Sequence, residues 1–281
     1  MQRLIALIAL CGAVAAQPRR IVSTAPSITE TLFALGLGDR VVGVSRYCHY
    51  PPEAATRTSV GTYLYPNIEV IAALRPDLVI TQAPADSAVP QLRRMGLQVL
   101  TLEQGSLETI FAAMRSIGER CGVADRAAKL VAGIQARLSS IRERTAGRPR
   151  RSLIFIVGRS PGRLENITAV GKGSYLNELI EIGGGVNALA GTVMPYPRVS
   201  VESILGLNPD VLVDMGDMSD TVSVSEQHKR EVVKMWAGLP GLKAARGRIF
   251  AVASDIFVVP GPRVVEAAEA FEKMLHPEAA R

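Results

Sequence analysis

Six tyrosines are the residues of this 281-residue chain best suited to bind a flat ligand, and four of them fall in one short loop. These four lie between residues 45 and 65, in a stretch rich in proline and glycine: Tyr47, Tyr50, Tyr63 and Tyr65. Tyr196 lies in a corresponding loop of the second half. Aromatic faces with polar tips suit a large, planar, amphipathic ligand. The alternative is that these tyrosines only pack the loops that carry them.

One segment with a glutamate near its start occurs twice in similar form. Residues 68–80 read IEVIAALRPDLVI and residues 201–213 read VESILGLNPDVLV, so that Glu69 matches Glu202. Each copy predicts a helix, a turn and a strand, and each tyrosine-bearing loop leads directly into one of the glutamates. The acids could simply favour the positive end of their helix. Placed alike on two similar lobes, they could also dock onto arginines of a two-fold symmetric membrane partner, where charge pairs act on register and encounter rate.

The chain carries no pattern typical of an enzyme. It lacks a nucleophile elbow, a phosphate-binding loop and a zinc motif, and its triple glycine at 183–185 follows a predicted helix, whereas a dinucleotide fingerprint follows a strand. A site for a bare metal ion would need several ligating side chains, and the sequence offers only His49 and Asp255 near the loops. His276, beside Pro277, is predicted to be solvent-exposed. We expect a binding protein with no catalytic residues, no metal ligands and no covalently bound cofactor.

The composition is that of a globular protein, and the N-terminal residues predict export. The chain is 48% hydrophobic and 21% charged with a formal net charge of +6, and nothing in it resembles a nucleic-acid-binding motif. Residues 1–16 combine a positive charge, a short apolar run and small residues, which is typical of a signal peptide cleaved near Ala15 or Ala16. Cys11 follows a leucine where a lipoprotein would carry a small residue, so a lipid anchor is not favoured.

Short apolar strands alternate with helical segments on both sides of one uninterrupted helical stretch. This alternation predicts an α/β fold of two Rossmann-like lobes, each with a mostly parallel sheet covered on both faces. We expect an N-terminal lobe over residues 18–122, a bridging helix over residues 123–147 and a C-terminal lobe over residues 150–281. Cys48 and Cys121 fall in a loop and a helix of the first lobe and are predicted to be free thiols.

Four stretches resemble a known family. They read VVGVSRYCHYPPEA (41–54), IEVIAALRPDLVI (68–80), MPYPRVSVESIL (194–205) and ASDIFVVPGPRVVEAA (253–268). The chain resembles the periplasmic substrate-binding proteins of ABC importers for cobalamin, ferric siderophores and haem, and is most similar to the cobalamin-binding members. In that family one backbone helix bridges two α/β lobes. The resemblance, over about residues 18–275, implies a monomer that carries its ligand between the lobes and docks on a permease dimer through Glu69 and Glu202.

The resemblance also implies a set of ligand contacts on both sides of the cleft. These candidates are Ser27, Tyr47, Tyr50, Tyr63, Tyr65, Gln82, Tyr196 and Asp255. Tyr63, Gln82 and Tyr196 stand where the cobalamin binders have tryptophan, and tyrosine keeps most of the stacking area. Val259 stands where those proteins have an arginine, which leaves the ligand class open.

Cobalamin or a related corrinoid is the favoured ligand. A ferric siderophore is the first alternative, although the candidate loops hold only Arg46 and Arg198, which are few cations for a highly anionic ligand. Haem is the second alternative, with Tyr47, Tyr63 or His49 as a possible axial ligand.

Overall fold

The computed structural model describes residues 17–83, 88–216 and 224–280. The expected signal peptide, residues 1–16, lies outside the described residues. The described chain forms two α/β lobes, each built on one sheet. The predicted fold class is therefore confirmed.

The sheet of the first lobe is parallel throughout its described strands. In spatial order these are β3 (Thr58–Ser59), β2 (Val41–Val44), β1 (Ile21–Ser23), β4 (Leu78–Gln82) and β5 (Val99–Leu102). Successive residues of β1 point to opposite faces, so Ile21 packs with Leu78 in one core and Val22 with Val79 in another. Because both faces are buried, these strands appear in the sequence as unbroken apolar runs.

Among the described residues, four α-helices accompany this sheet. They are α1 (Pro26–Ala34), α2 (Ile68–Ala73), α3 (Ala88–Arg94) and α4 (Leu107–Arg120). Helix α1 begins directly after β1, and its first turn therefore lies at the carboxyl end of the sheet. In an open α/β sheet this is the end at which ligands bind.

The sheet of the second lobe is mixed. Its strands, in spatial order, are β11 (Ile249–Ala251), β10 (Val211–Asp214), β6 (Ser152–Gly158), β7 (Ile167–Ala169) and β9 (Arg198–Val199), with β8 (Val186–Asn187) beside β6. Strand β7 is antiparallel to β6 and β9, and the other pairs are parallel. Phe155 of β6 packs edge-on against Phe257 and Phe271, while Ile154 belongs to the core on the opposite face with Trp236.

The remaining helices are α5 (Ala124–Thr145), α6 (Tyr175–Ile182), α7 (Val201–Leu207), α8 (Glu226–Ala237) and α9 (Val264–Leu275). Helix α5 has 22 residues and lies between the two sheets in sequence. Its Ala127 packs in a core of the first lobe, whereas Val131, Leu138 and Ile141 pack in a core of the second. One helix thus contributes to a core of each lobe.

Two predictions about single residues have different outcomes. His276 was predicted to be exposed, and this is wrong: α9 carries it back over the second lobe, where it is 1% exposed beside Gly184 and Thr145. Cys48 and Cys121 are free and buried. The Cys48 Sγ lies 3.1 Å from the hydroxyls of Thr29 and Ser45.

Candidate ligand cleft and docking glutamates

The tyrosine-bearing loop of the first lobe leaves the carboxyl end of β2 and returns through a tight turn before α2. Gly61 and Pro66 form an antiparallel bridge that closes this turn. Tyr63 lies inside it, half-buried, and its hydroxyl donates a hydrogen bond to the Ala83 carbonyl at 3.1 Å. Tyr65 lies at the tip and is 80% exposed. The turn therefore holds Tyr63 against the end of β4 and leaves Tyr65 in solvent.

A chain of short contacts links Tyr63 to the second lobe. Gln104 Nε2 donates to the Tyr63 hydroxyl at 3.1 Å and to the Ala83 carbonyl at 2.9 Å. The next residue, Gly105, accepts a hydrogen bond at 2.7 Å from the backbone of Tyr175, the first residue of α6. The two lobes therefore meet where the loop after β5 contacts the start of α6.

Tyr196 belongs to the same junction. The hydroxyl of Ser174, the N-cap of α6, donates to the Tyr196 hydroxyl at 3.0 Å. Ser174 immediately precedes the residue that bonds Gly105 of the first lobe. Tyr63 and Tyr196 come from loops more than 100 residues apart. The fold brings both of them to the contact between Gly105 and Tyr175.

Ser27 and Gln82 lie deeper between the lobes. Ser27 Oγ donates to Gln82 Oε1 at 3.0 Å, and both side chains are buried. They line a small cavity of the first lobe, together with Gln104 and residues of α4, and Pro260 of the second lobe lies at its edge. Ser27 and Gln82 thus form a buried polar pair at the carboxyl end of the first sheet.

Asp255 is held by an arginine that sequence reasoning missed. Arg263 donates to both oxygens of Asp255, from Nη1 at 3.0 Å and from Nη2 at 2.9 Å. Its Nε also donates to Glu30 of α1 at 3.0 Å, and the guanidinium carbon lies 4.1 Å from the centre of the Tyr50 ring. The sequence count of basic residues considered only Arg46 and Arg198 and is therefore incomplete. Arg263 is the only basic residue of the resembling stretch 253–268, and this was the available signal.

The Glu30 carboxyl is an unusual ion-pair partner because its side chain is only 2% exposed. Burial raises its pKa above the ordinary value, and the bonded Arg263 opposes that rise. A buried carboxylate is tolerated when it is paired and hydrogen-bonded. Glu30 therefore depends on a residue of the other lobe.

A second buried ion pair lies at the carboxyl end of the second sheet. Arg159 Nε donates to Asp214 Oδ2 at 2.8 Å, and the indole of Trp236 donates to the same oxygen. Both charged side chains are almost completely buried. Together with Met215 and His228 they line an open cavity, so the second lobe carries its own recess beside the cleft.

Tyr47 and Tyr50 are exposed on the loop after β2. Tyr50 lies against Arg263, whereas no side-chain hydrogen bond of Tyr47 is present among the described residues. The structure thus brings Tyr63 and Tyr196 to one junction and Tyr50 and Asp255 to one arginine. Tyr47 and Tyr65 point into solvent around them.

Glu69 and Glu202 occupy equivalent positions. Each lies in the first turn of a short helix, α2 or α7, whose N-cap side chain accepts a backbone hydrogen bond: Asn67 Oδ1 from Val70 at 3.0 Å, and Ser200 Oγ from Ser203 at 3.2 Å. Helix α7 follows β9 directly and α2 follows the turn after β3. Both glutamates are exposed and, within the described residues, neither forms a salt bridge.

Two features are absent from the described residues. They contain no group of three or more His, Cys, Asp or Glu placed to hold a metal ion. No helix among them combines the length and apolar character needed to cross a membrane.

A family model described as "Periplasmic binding protein" matches residues 21–252. The chain is 31% identical over 270 residues to the uncharacterized ABC transporter substrate-binding lipoprotein YvrC of Bacillus subtilis, covering 93% of this chain and 81% of that protein. It is 28% identical over 252 residues to the vitamin B12-binding protein of Salmonella paratyphi A, covering 89% and 87%.

Solved structures share the same architecture. The periplasmic heme-binding protein RhuT of Roseiflexus superposes with a TM-score of 0.75 at 26% sequence identity, over 92% of this chain and 99% of that one. The similarity therefore extends through both lobes and the helix between them.

Proposed function

Because this chain belongs to the periplasmic binding protein family of ABC transporters, we propose that it captures cobalamin or a related corrinoid between its lobes and delivers it to a membrane permease. Its general role is that of an extracytoplasmic, non-enzymatic substrate-binding protein, with a small-molecule ligand and a permease as its partners. The identity of the ligand and the residues that contact it are the new part of the proposal.

The junction between Tyr63 and Tyr196 is the observation that carries the ligand assignment. One tyrosine from each lobe is bonded next to the contact between Gly105 and Tyr175, so a flat ligand held at this junction would lie within reach of an aromatic ring from either lobe. Aromatic faces stack on planar, polarizable rings, and a tyrosine adds a polar tip to its apolar ring.

The polar groups around these rings also suit a corrinoid. Ser27 and Gln82 are uncharged, and the guanidinium of Arg263 is already shared by two carboxylates. The amide substituents of a corrin are neutral donors and acceptors that such groups can satisfy. The relatives named as vitamin B12-binding proteins favour the same ligand.

Haem is the alternative favoured by a specific observation. Tyr47 and His49 are both exposed on the loop after β2 and are two residues apart, so either could reach an iron atom above the cleft. RhuT, a structural relative, is named as a heme-binding protein. A ferric siderophore is less well supported, because the Arg263 charge is taken by Glu30 and Asp255.

We further propose a periplasmic location, with removal of residues 1–16, and the lobe boundaries given by residues 18–122, 123–147 and 150–281. The Bacillus relative is named as a lipoprotein. Cys11 is the residue to test for a lipid anchor, by mass spectrometry of the exported protein.

Titration of the purified protein with cyanocobalamin tests the assignment. We expect the visible corrin absorbance to remain with the protein after desalting and binding to saturate near one ligand per chain. The same measurement is made with haem and with a ferric catecholate and a ferric hydroxamate. Retention of one of these in place of cyanocobalamin would replace the ligand while keeping the family.

Variants at the two flanking tyrosines test the site itself. Removal of one ring in Tyr63→Ala or Tyr196→Ala should weaken cyanocobalamin binding by roughly fivefold, since a lost aromatic contact costs about 1 kcal/mol. Tyr63→Phe and Tyr196→Phe keep the ring and should bind within about threefold of wild type. Alanine variants that bind as tightly as wild type would place the ligand elsewhere.

A further inference from the structure

Arg263 lies between two lobes and between two carboxylates. It belongs to the second lobe, at the start of α9, and it bonds Glu30 of the first lobe through Nε and Nη2. The same guanidinium bonds both oxygens of Asp255 on its own lobe. A planar guanidinium can do this because its five donors point along fixed directions, which an ammonium group cannot imitate.

The contact with Glu30 is costly to break. The side chains of Arg263 and Glu30 are 12% and 2% exposed, so a separation of the lobes at this edge would leave a carboxylate in a water-poor environment without its counter-charge. The backbone of Gly261 lies close to α1, because a Cβ at this position would be 3.4 Å from the Cα of Ser27. The loop before α9 is therefore seated directly on the first turn of α1.

The same arginine fixes two of the candidate ligand contacts. Asp255 is oriented by two parallel hydrogen bonds, a geometry that specifies direction as well as distance. The Tyr50 ring, from the first lobe, lies 4.1 Å from the guanidinium carbon in a cation–π contact. One side chain thus orders a predicted ligand contact on each wall of the cleft.

We propose that Arg263 is a positioning residue that fastens Glu30 of the first lobe to Asp255 of the second and so sets the separation of the two walls before a ligand arrives. Such preorganisation improves affinity because the two walls are already ordered before the ligand binds. The consequence for cobalamin affinity rests on the proposed function. The consequence for lobe separation does not depend on any ligand.

Distance measurements on ligand-free protein test the fastening directly. Spin labels are attached in the variant pair Ser59→Cys and Lys234→Cys, which are exposed positions of β3 and α8 on the two lobes. The native Cys48 and Cys121 are buried and should not react with the label. We expect Arg263→Gln to broaden the interlobe distance distribution and shift it outward, and Arg263→Lys to give an intermediate distribution.

Cyanocobalamin affinity provides the second measurement. We expect Arg263→Gln to bind at least tenfold more weakly than wild type and Arg263→Lys to recover part of the loss. Arg137→Gln is the matched control, because it also removes one charge and one ion pair, the exposed pair with Glu269 between α5 and α9. This control should keep both the wild-type distances and the wild-type affinity.

The outcomes separate the two proposals. Failure of the wild-type protein to bind cyanocobalamin would overturn the ligand assignment, while the distance measurement would still decide the role of Arg263. An Arg263→Gln protein with wild-type distances, or with affinity within twofold of wild type, would overturn the positioning role. Should Arg263→Gln fail to fold, the double variant Glu30→Gln/Arg263→Gln removes both buried charges and carries the same test.

Discussion

At the scale of single residues, His276 is a titratable group buried without a hydrogen-bond partner. Neither ring nitrogen has a partner within hydrogen-bonding geometry among the described residues. Burial lowers the pKa of His276 below its ordinary 6.5, and the nearby charges of Arg151 and Arg148 act in the same direction, against Glu278. The neutral imidazole is therefore the form that the folded protein accommodates.

His276 should make stability dependent on pH. Because its folded pKa lies below the unfolded value of 6.5, the unfolded chain takes up a proton first as the pH falls. The stability that His276 contributes is complete above pH 6.5 and declines as the pH falls towards the folded pKa. We expect urea unfolding midpoints of wild type to drop between about pH 7.5 and about pH 5.5 more steeply than those of His276→Leu.

His228 supplies the control for this measurement. It is exposed on α8, and His228→Gln should retain the wild-type dependence on pH. A His276→Leu protein that loses stability as steeply as wild type would show that other groups govern this pH range.

At the scale of secondary-structure elements, the repeated segment ties its turn to the first strand of its own lobe. Asp77 accepts backbone hydrogen bonds from Arg19 at 2.8 Å and Arg20 at 2.9 Å, just before β1. Asp210 accepts from the backbone and hydroxyl of Ser152, the first residue of β6, at 3.0 and 2.9 Å. The duplicated aspartate is thus structural, and it stands eight residues after the exposed glutamate of each copy.

Loss of either aspartate should destabilise its lobe. Hydrogen bonds to a charged group contribute roughly 1.5–3 kcal/mol, so Asp77→Ala and Asp210→Ala should each lower the free energy of unfolding by about that amount in urea titrations. The exposed Asp39 offers a control, since Asp39→Ala should change stability by less than about 0.5 kcal/mol.

Asp210 adds a dependence on acid. The Ser152 backbone N–H lowers the pKa of Asp210 below 3.8, so its contribution is present above that pH and is lost as the pH falls through the folded pKa. The stability gap between wild type and Asp210→Ala should therefore narrow in strong acid. A gap that is already absent at neutral pH would contradict the structural role.

At the scale of the whole molecule, two similar lobes each present one exposed carboxylate at the start of a capped helix. A two-fold symmetric permease would offer equivalent basic groups to both. We expect Glu69→Ala/Glu202→Ala to reduce permease stimulation and transport strongly, because charge pairs set register and encounter rate. Cyanocobalamin affinity in solution should stay within a few-fold of wild type.

A second pair of exposed glutamates distinguishes docking through specific residues from a general effect of lost negative charge. Glu119 of α4 and Glu231 of α8 are exposed, one on each lobe, and Glu119→Ala/Glu231→Ala should leave transport unchanged. Added salt should weaken the wild-type complex more than the Glu69→Ala/Glu202→Ala complex. A transport rate unaffected by loss of Glu69 and Glu202 would refute docking through them.

The sequence alone determined most of the helices and strands and the fold class. A helix was predicted before the triple glycine at 183–185 and another at the start of the second repeat, and the structure has α6 and α7 there. Strand periodicity, helix capping by Asn67 and Ser200 and the uninterrupted helical stretch before β6 are local properties, in which each residue interacts with neighbours a few positions away. For this reason the two-lobed α/β architecture could be predicted before any contact between the lobes was known.

Only the tertiary structure decided how the site is assembled. Glu30 and Arg263 are separated by 233 positions, and although Arg263 is the only basic residue of its stretch, no local pattern indicates its partner. The burial of His276 was missed for the same reason, since it depends on where α9 lies against Gly184 rather than on the neighbouring proline. Pairing across the lobes follows from the packing of whole elements, and a single sequence records the elements but not the surfaces that they bring together.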